Sequence, residues 1–249
     1  MELQTEQWNL YTYRQFTDEL KGLSEKKYRE FCIKIVHAKT PIWGVRQPTM
    51  RKLASEILKG NALSFLEVPK GDALEEQMMH GYVLAKIKLP YEQKLTFLFP
   101  FLERMDNWSV CDNFVTALKP FIRENCARFL ADIRHLAMNE NPWKVRFLLV
   151  VLLECYLEPD TLADALSLCK QIKREEYYVK MAQAWLLSMA YVQNPCAAME
   201  ALQSFEQDRF ITLKTISKII DSYQVTEDQK DLCRKYRDNY KKRHGNQKK

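Results

Sequence analysis

Five segments of the sequence resemble one another and recur every 33 to 35 residues. They begin near Asp72, Asn107, Pro142, Glu176 and Arg209. Val110, Val145 and Val179 hold the same position in three of them, and another helix-like segment lies between successive copies. Two helices in every ~35 residues are typical of stacked helical hairpins, each of which buries its apolar face against its neighbours. The spacing therefore predicts an all-α, helical-repeat solenoid, with a bundle of accidentally spaced helices as the alternative.

Helical periodicity runs along nearly the whole chain. Besides the five repeated segments, it predicts helices over residues 5–21, 26–37, 91–103, 123–137, 161–172 and 195–205. The chain holds only six glycines and nine prolines, fewer turn residues than an all-β fold needs. Because no linker or low-complexity stretch interrupts the pattern, we expect one solenoid domain over residues 1–233 and a basic tail over residues 234–249.

The basic tail accounts for most of the positive charge. Residues 234–249 hold eight Lys and Arg and a single acid, Asp238, whereas the formal net charge of the whole chain is +6. The remaining residues therefore carry a net charge of −1. Any nucleic-acid binding by them must depend on where the cations lie rather than on their sum. The tail is interpreted either as a solvated, frayed terminus or as a source of nonspecific attraction to DNA.

Membrane, secreted and metal-binding classes are disfavoured. No apolar run approaches the ~18 residues of a membrane span, and residues 1–6 lack the features of a signal peptide. We therefore expect a cytoplasmic protein. The seven cysteines are scattered without a CxxC pair, and the four histidines lie far apart. This distribution predicts reduced thiols and no metal site.

A row of cations follows the valine column. The positions one residue after the column are Cys111, Arg146, Lys180 and, in the next repeat, Lys214. Three successive repeats thus offer a cation on the same helix face, and stacked helices lie ~8–10 Å apart. Side chains at that spacing are suited to contact successive phosphates of a nucleic-acid strand. A solvated helical face explains the same row equally well.

Tryptophan and aspartate residues gather on the same repeated helices. Trp108 and Asp112 are four residues apart and therefore share a helix face. Trp143 begins the equivalent helix of the next repeat with Arg146 one turn on, and Trp185 lies within the helix after that. An acid near aromatic rings and cations makes a candidate site. The alternative is that the tryptophans belong to the core and that Asp112 is a surface acid or pairs with Arg146.

Four motifs, in order and at the expected spacing, carry a family resemblance. They are GVRQPTMRKLA at 44–54, NWSVCD at 107–112, WKVR at 143–146 and YYVKMAQAW at 177–185. Together they make the stretch from about residue 25 to 225 resemble the AlkD-like DNA glycosylases, which excise alkylated bases from DNA.

The resemblance implies a HEAT-like solenoid with a concave DNA-binding face and excision of cationic lesions such as 3-methyladenine and 7-methylguanine. It identifies Asp112 as the catalytic acid, Trp108 and Trp185 as the lesion-facing rings, and Arg146 as a DNA contact. It implies double-stranded DNA with alkylated bases as the partner, a monomer, and no metal or organic cofactor. Further DNA contacts are expected at Lys144, Lys180, Lys214, Arg46 and Lys218.

The sequence departs from the family pattern towards its C-terminal end. An Arg-Glu pair expected after the second tryptophan is replaced by Leu-Leu-Ser at 186–188, and a basic-acidic-Ala cluster by Thr-Ile-Ser-Lys at 215–218. Two alternatives to a glycosylase therefore stay open. One is a DNA-binding helical-repeat protein without catalysis that recognises damaged or branched DNA, and the other is a scaffold for protein partners.

Overall fold

A computed structural model describes residues 2–244, and every regular element among them is helical. These residues fall into two compact units that divide after Asn125. The all-helical class is confirmed. None of the described helices is both long and apolar enough to cross a membrane. Whether the two units act as the single domain expected from the sequence stays a prediction.

The first unit contains seven helices within residues 2–125. They are α1 (Leu10–Gly22), α2 (Lys26–Val36), α3 (Gln47–Ile57), α4 (Ala62–Glu67), α5 (Leu74–Lys86), α6 (Tyr91–Arg104) and α7 (Trp108–Glu124). Helices α3, α5 and α7 pack side by side, and α4 and α6 contact α5. Helix α5 lies at the centre of this unit, because every residue from Leu74 to Ala85 is buried.

The first helix is shorter than its periodicity predicts. It begins at Leu10 rather than near residue 5, because the Asn9 side chain accepts hydrogen bonds from the backbone N–H groups of Tyr11 and Thr12. The Thr12 hydroxyl in turn accepts from the Asn9 N–H at 2.9 Å. This reciprocal capping box fixes the helix start. Trp8, just before it, is buried against Phe65 with ring centroids 5.1 Å apart.

The second unit repeats the same arrangement within residues 126–244. Its helices are α8 (Cys126–Ile133), a short 3₁₀ helix (Arg134–Met138), α9 (Pro142–Cys155), α10 (Leu162–Gln171), α11 (Tyr177–Gln193), α12 (Pro195–Gln203), α13 (Arg209–Asp221) and α14 (Glu227–His244). Helices α9, α11 and α13 pack side by side, while α10 and α12 form a second layer. Val145 and Val179 are fully buried in the first layer. The predicted stacking of repeated helical hairpins is thus confirmed within this unit.

Three of the five repeated helices begin where a polar side chain caps them. The side chains of Asn107, Asn141 and Asp208 each accept a hydrogen bond from a backbone N–H in the first turn of α7, α9 and α13. Such caps satisfy N–H groups that have no partner within the helix. They fix the starts of α7, α9 and α13, whereas α5 and α11 begin without a side-chain cap.

The predicted basic tail belongs to α14 over most of its length. The boundary proposed at residue 234 falls inside this helix, which runs to His244 and packs on α13. Cys233 and Tyr240 are buried, and the Tyr240 hydroxyl donates to the Glu206 carbonyl at 2.7 Å. Residues 234–244 are therefore helical and partly packed rather than frayed. Residues 245–249 of the predicted tail lie outside the described residues.

Candidate functional site

A buried carboxylate shapes the loop that precedes α3. The Glu75 side chain is 1% exposed and accepts hydrogen bonds from three successive backbone N–H groups, of Trp43 at 2.9 Å, Gly44 at 2.7 Å and Val45 at 3.2 Å. Gly44 has a φ of 94°, and a Cβ there would lie only 2.5 Å from the Cβ of Arg29. Only glycine fits this turn. The Gly-Val-Arg motif therefore folds as a rigid loop.

Arg46, at the end of that loop, is held at the surface by two partners. Its guanidinium forms a two-pronged ion pair with the Glu25 carboxylate, both contacts at 2.8 Å, and lies 4.9 Å from the Tyr28 ring. About half of each charged side chain is exposed. An exposed ion pair of this kind is weak, so a phosphate can compete with Glu25. Contact between Arg46 and DNA stays a prediction.

The first turns of α7 carry Trp108 and Asp112 on one face, as the spacing predicts. Both side chains are partly exposed. The Trp108 indole N–H donates to the carbonyl of Ile35, at the end of α2, over 3.1 Å. This bond anchors one edge of the ring. Cys111, the α7 member of the predicted cation row, is fully buried.

A polar link beside Asp112 was not assigned a role from the sequence. The Asn113 side chain accepts from Arg51 Nη2 at 3.0 Å and donates to the Ser109 carbonyl at 2.8 Å. The Arg51 guanidinium also lies 5.7 Å from the ring of Tyr82. Helices α3, α5 and α7 are thus joined by one arginine. The sequence feature that could have indicated this contact is the presence of Arg51 in the motif at 44–54, which by itself points only to the family resemblance.

In the second unit, Arg146 is buried rather than solvated. Its residue exposure is 5%, and Nη1 donates to the Tyr178 carbonyl at 2.7 Å. The Trp143 ring covers Tyr178, with centroids 5.2 Å apart. This hydrogen bond restricts the orientation of the guanidinium. Lys144, also expected to bind DNA, is partly exposed near the start of α9.

Lys180 is held by two carboxylates. Its ammonium contacts Glu175 at 2.9 Å and Asp208 at 2.7 Å, and only 12% of the side chain is exposed. These acids raise the pKa of Lys180 against the lowering effect of burial, which is the largest influence on it. A phosphate would have to displace one of them. The phosphate contact predicted for Lys180 therefore stays a prediction that its surroundings do not favour.

Helix α13 brings the remaining predicted cations towards Trp185. The ammonium of Lys218 lies 5.9 Å from the centroid of the Trp185 ring, which is partly exposed on α11. Burial lowers the pKa of Lys218, and the neighbouring charges of Lys214 and Arg146 lower it further. Lys214 and Arg146 are thus each close enough to Lys218 for their charges to repel its ammonium, whereas Asp221 acts in the opposite direction. The structure places these three predicted DNA contacts and the second predicted tryptophan in one region.

Excess positive charge beside an accessible indole suits two chemical tasks. The cations can neutralise phosphates of a nucleic-acid backbone, and the ring face attracts positively charged groups. Within residues 2–244, no three His, Cys, Asp or Glu side chains come together in the way a metal site requires. None of the seven cysteines, all of which lie within the described residues, forms a disulfide.

Comparison with known proteins gives one match of broad coverage. The family model described as DNA alkylation repair enzyme matches residues 16–218. That range contains every predicted site residue, from Arg46 to Lys218. No curated protein matches the sequence at a significant level. The family match covers most of the chain and agrees with the helical repeats and the motif positions, so this protein belongs to the DNA alkylation repair enzyme family.

Proposed function

We propose that this protein is a monofunctional DNA glycosylase that hydrolyses the N-glycosidic bond of cationic alkylated purines, such as 3-methyladenine and 7-methylguanine. It acts on double-stranded DNA as a monomer. The observation that carries the proposal is the group formed by Arg146, Lys214 and Lys218 near the exposed face of Trp185. This group offers phosphate contacts next to a ring that already attracts a cation.

Asp112 serves the chemistry through its charge. Alkylation at a ring nitrogen makes the base cationic, so it leaves with the electrons of the glycosidic bond as a neutral molecule. Positive charge then develops on the deoxyribose, and a water oxygen adds to C1′ with loss of a proton. A carboxylate near the sugar stabilises that charge and orients the water. The partly exposed Asp112 on α7 is the group assigned to this role.

The tryptophan rings attract the lesion before the bond breaks. A cation over an indole face is stabilised by about 0.5–2 kcal/mol. Lys218 shows that the Trp185 face receives a cation at 5.9 Å, and a methylated purine would take that position. Trp108 is fixed by its hydrogen bond to the Ile35 carbonyl. A ring with restricted motion loses little entropy when it stacks on a base.

Arg146 is assigned to a phosphate near the lesion. Its guanidinium is oriented by the Tyr178 carbonyl at 2.7 Å. Arginine donates through a planar fork that matches phosphate oxygens, and charge-assisted bonds of this kind are about twice as strong as neutral ones. Lys214 and Lys218 strengthen the positive field around it. We expect these cations to hold the DNA backbone while Asp112 acts on the sugar.

Single-turnover base release from duplex DNA that contains 7-methylguanine tests the proposal. We expect Asp112→Asn, which keeps the shape of the side chain and removes its charge, to slow release about 100-fold or more while DNA binding persists. The matched control is Asp164→Asn, the same change at an exposed position on α10, which should release the base at the wild-type rate. Equal rates for wild type and Asp112→Asn would remove Asp112 from the mechanism.

A second candidate function is DNA binding without catalysis. The group formed by Arg146, Lys214 and Lys218 favours it, because contacts with phosphates bind DNA whether or not Asp112 acts on the sugar. Wild-type protein that binds 7-methylguanine and 3-methyladenine duplexes but releases neither base would support this reading over the glycosylase. Binding that loses affinity steeply with rising salt would separate it from a protein scaffold.

A further inference from the structure

A groove between α13 and α14 is lined by cations from both helices. It has a volume of about 660 Å³, and Arg209 and Lys214 of α13 face Arg237 and Lys241 of α14 across it. Arg237 and Lys241 are four residues apart and therefore share one face of their helix. Among the described residues, no Asp or Glu lines the groove. Four positive charges thus converge on one space.

Most of these charges lack a carboxylate partner. Within residues 2–244, Arg209, Lys214 and Lys241 form no ion pair. Arg237 contacts only the adjacent Asp238, at 3.2 Å, through an exposed pair that stabilises little.

Earlier in α14 the pattern is different. Lys230 pairs with Glu227 at 2.9 Å, and Arg234 pairs with Asp231 at 2.5 Å. Pairing of this kind neutralises the cations of the first part of the helix. At the end of α14, Arg243 again pairs with Glu206 at 2.8 Å. Local neutralisation is therefore weakest where Arg237 and Lys241 border the groove, which leaves a positive field suited to an anion.

The apolar part of the groove fits a polymer rather than a small ion. Phe210 and Leu213 lie between the cations. Phe210 also packs against Tyr177 with ring centroids 5.5 Å apart, and Tyr177 is 56% exposed. A phosphodiester backbone alternates charged phosphates with the apolar faces of its sugars. Cations around an apolar floor match that alternation better than they match an isolated phosphate.

We propose that the groove between α13 and α14 binds the phosphodiester backbone of duplex DNA as a second contact, next to the group around Trp185. This inference rests on the proposed function in that DNA is the substrate. Arg237 and Lys241 lie beyond residue 218, where the family match ends, so family membership does not account for them. Lys214 borders the groove and also acts on Lys218, which joins the two positive regions.

A pair of double variants isolates the groove. Arg237→Gln with Lys241→Gln removes two groove cations, and Lys235→Gln with Lys242→Gln removes two exposed cations of the same helix that do not line it. Fluorescence anisotropy with an undamaged, labelled duplex measures affinity over a series of salt concentrations. We expect the groove variant to lose about five- to tenfold in affinity per contact near 0.1 M salt and to lower the salt slope by about two. The control should lose less than threefold.

Three outcomes would overturn the inference. One is equal loss in both double variants, which would indicate general attraction by α14. Another is unchanged affinity and salt slope in the groove variant. The third is that the groove variant keeps its DNA affinity but loses binding to phosphatidylserine vesicles. This binding test uses an undamaged duplex and does not depend on catalysis. If the wild-type protein released no base from a duplex that contains 7-methylguanine, that result would contradict the proposed glycosylase but not the groove. Thermal unfolding of both variants checks that they fold.

Discussion

Helix α5 buries four polar side chains, and they differ in how well they are satisfied. Glu75 holds the loop before α3, and Glu76 accepts from the Tyr13 hydroxyl at 3.0 Å and from two backbone N–H groups. By contrast, both ring nitrogens of His80 and the side-chain oxygen of Gln77 have no hydrogen-bond partner. A buried polar group without a partner destabilises the fold by about 1–3 kcal/mol. His80 is therefore the residue at which this unit is most sensitive to protonation.

We expect the stability of the protein to fall with pH because of His80. Burial, with smaller contributions from the charges of Lys70 and Arg104, lowers the pKa of His80 from 6.5 to about 3. The folded state keeps this imidazole neutral, whereas the unfolded chain takes up a proton below pH 6.5. Protonation of the unfolded chain therefore lowers the free energy of unfolding below pH 6.5. This loss grows as the pH falls towards 3 and reaches about 2 kcal/mol at pH 5.

Urea unfolding at pH 7 and pH 5 measures this dependence. His80→Leu fills the same apolar site, next to Phe101 at 5.0 Å, without a group that can titrate. Between pH 7 and pH 5, the free energy of unfolding of the variant should fall by about 2 kcal/mol less than that of the wild type. His37→Asn, which removes an exposed imidazole at a left-handed position that asparagine tolerates, serves as the control and should keep the wild-type dependence. A pH dependence that is the same in His80→Leu and wild type would show that another group is responsible.

At the scale of elements, the sequence predicts helices well and their interruptions poorly. The repeated helices α5, α7, α9, α11 and α13 begin within two residues of the predicted starts. The segment 123–137, predicted as one helix, instead contains the end of α7, helix α8 and a 3₁₀ turn. The break is at Asn125, whose side chain donates back to the Phe121 carbonyl at 2.8 Å. Periodicity cannot reveal it because the apolar positions continue on both sides.

In the candidate site, too, the sequence predicts the helix position of a side chain but not its contacts. The spacing predicts one shared helix face for Arg146, Lys180 and Lys214, but it does not predict the partners of Arg146 and Lys180, which come from other helices and turns. Arg146 donates to a carbonyl of α11, and Lys180 contacts the capping residue Asp208 of α13. A repeat of ~35 residues predicts on which face of its helix a side chain lies. The residue that the side chain contacts belongs to the first turn of the following repeat, and the spacing does not predict it. Only the structure distinguishes a free cation from a neutralised one.

Helix α14 should contribute to stability as well as to charge. Tyr240 is 1% exposed, and its hydroxyl donates to the Glu206 carbonyl. We expect Tyr240→Ala to lower the free energy of unfolding by about 3–5 kcal/mol, as other truncations of large buried side chains do. Tyr240→Phe keeps the ring and should cost about 1 kcal/mol for the lost hydrogen bond. Urea denaturation measures both, and a Tyr240→Ala variant as stable as wild type would mean that α14 is not packed as described.

At the scale of the whole molecule, the positions of the cations matter more than their number. The chain has 38 Lys and Arg against 32 Asp and Glu, which is close to balance. In the second unit, however, the charges of Lys214 and Arg146 repel that of Lys218, and the groove between α13 and α14 adds further cations with no described Asp or Glu among the lining residues. A nearly neutral chain can thus present a strongly positive surface. Such a surface attracts any DNA, so selection of damaged bases must come from a different interaction.

The charge of the lesion is the property on which we expect this selection to depend. 7-Methyl-7-deazaguanine has the shape of 7-methylguanine but no positive charge, and the Asp112→Asn variant leaves either base attached to the DNA. This variant should bind the cationic lesion about 2- to 30-fold more tightly than the neutral analogue, which corresponds to ~0.5–2 kcal/mol from one cation–π contact. Adding Trp185→Leu should reduce the difference, because only the Trp108 ring then remains, and should leave the affinity for undamaged duplex unchanged, since the phosphate contacts remain. If the Asp112→Asn variant with Trp185 intact bound both lesions equally, the indole would recognise the shape of the base rather than its charge. The reaction proposed for Asp112 would then need another source of lesion recognition.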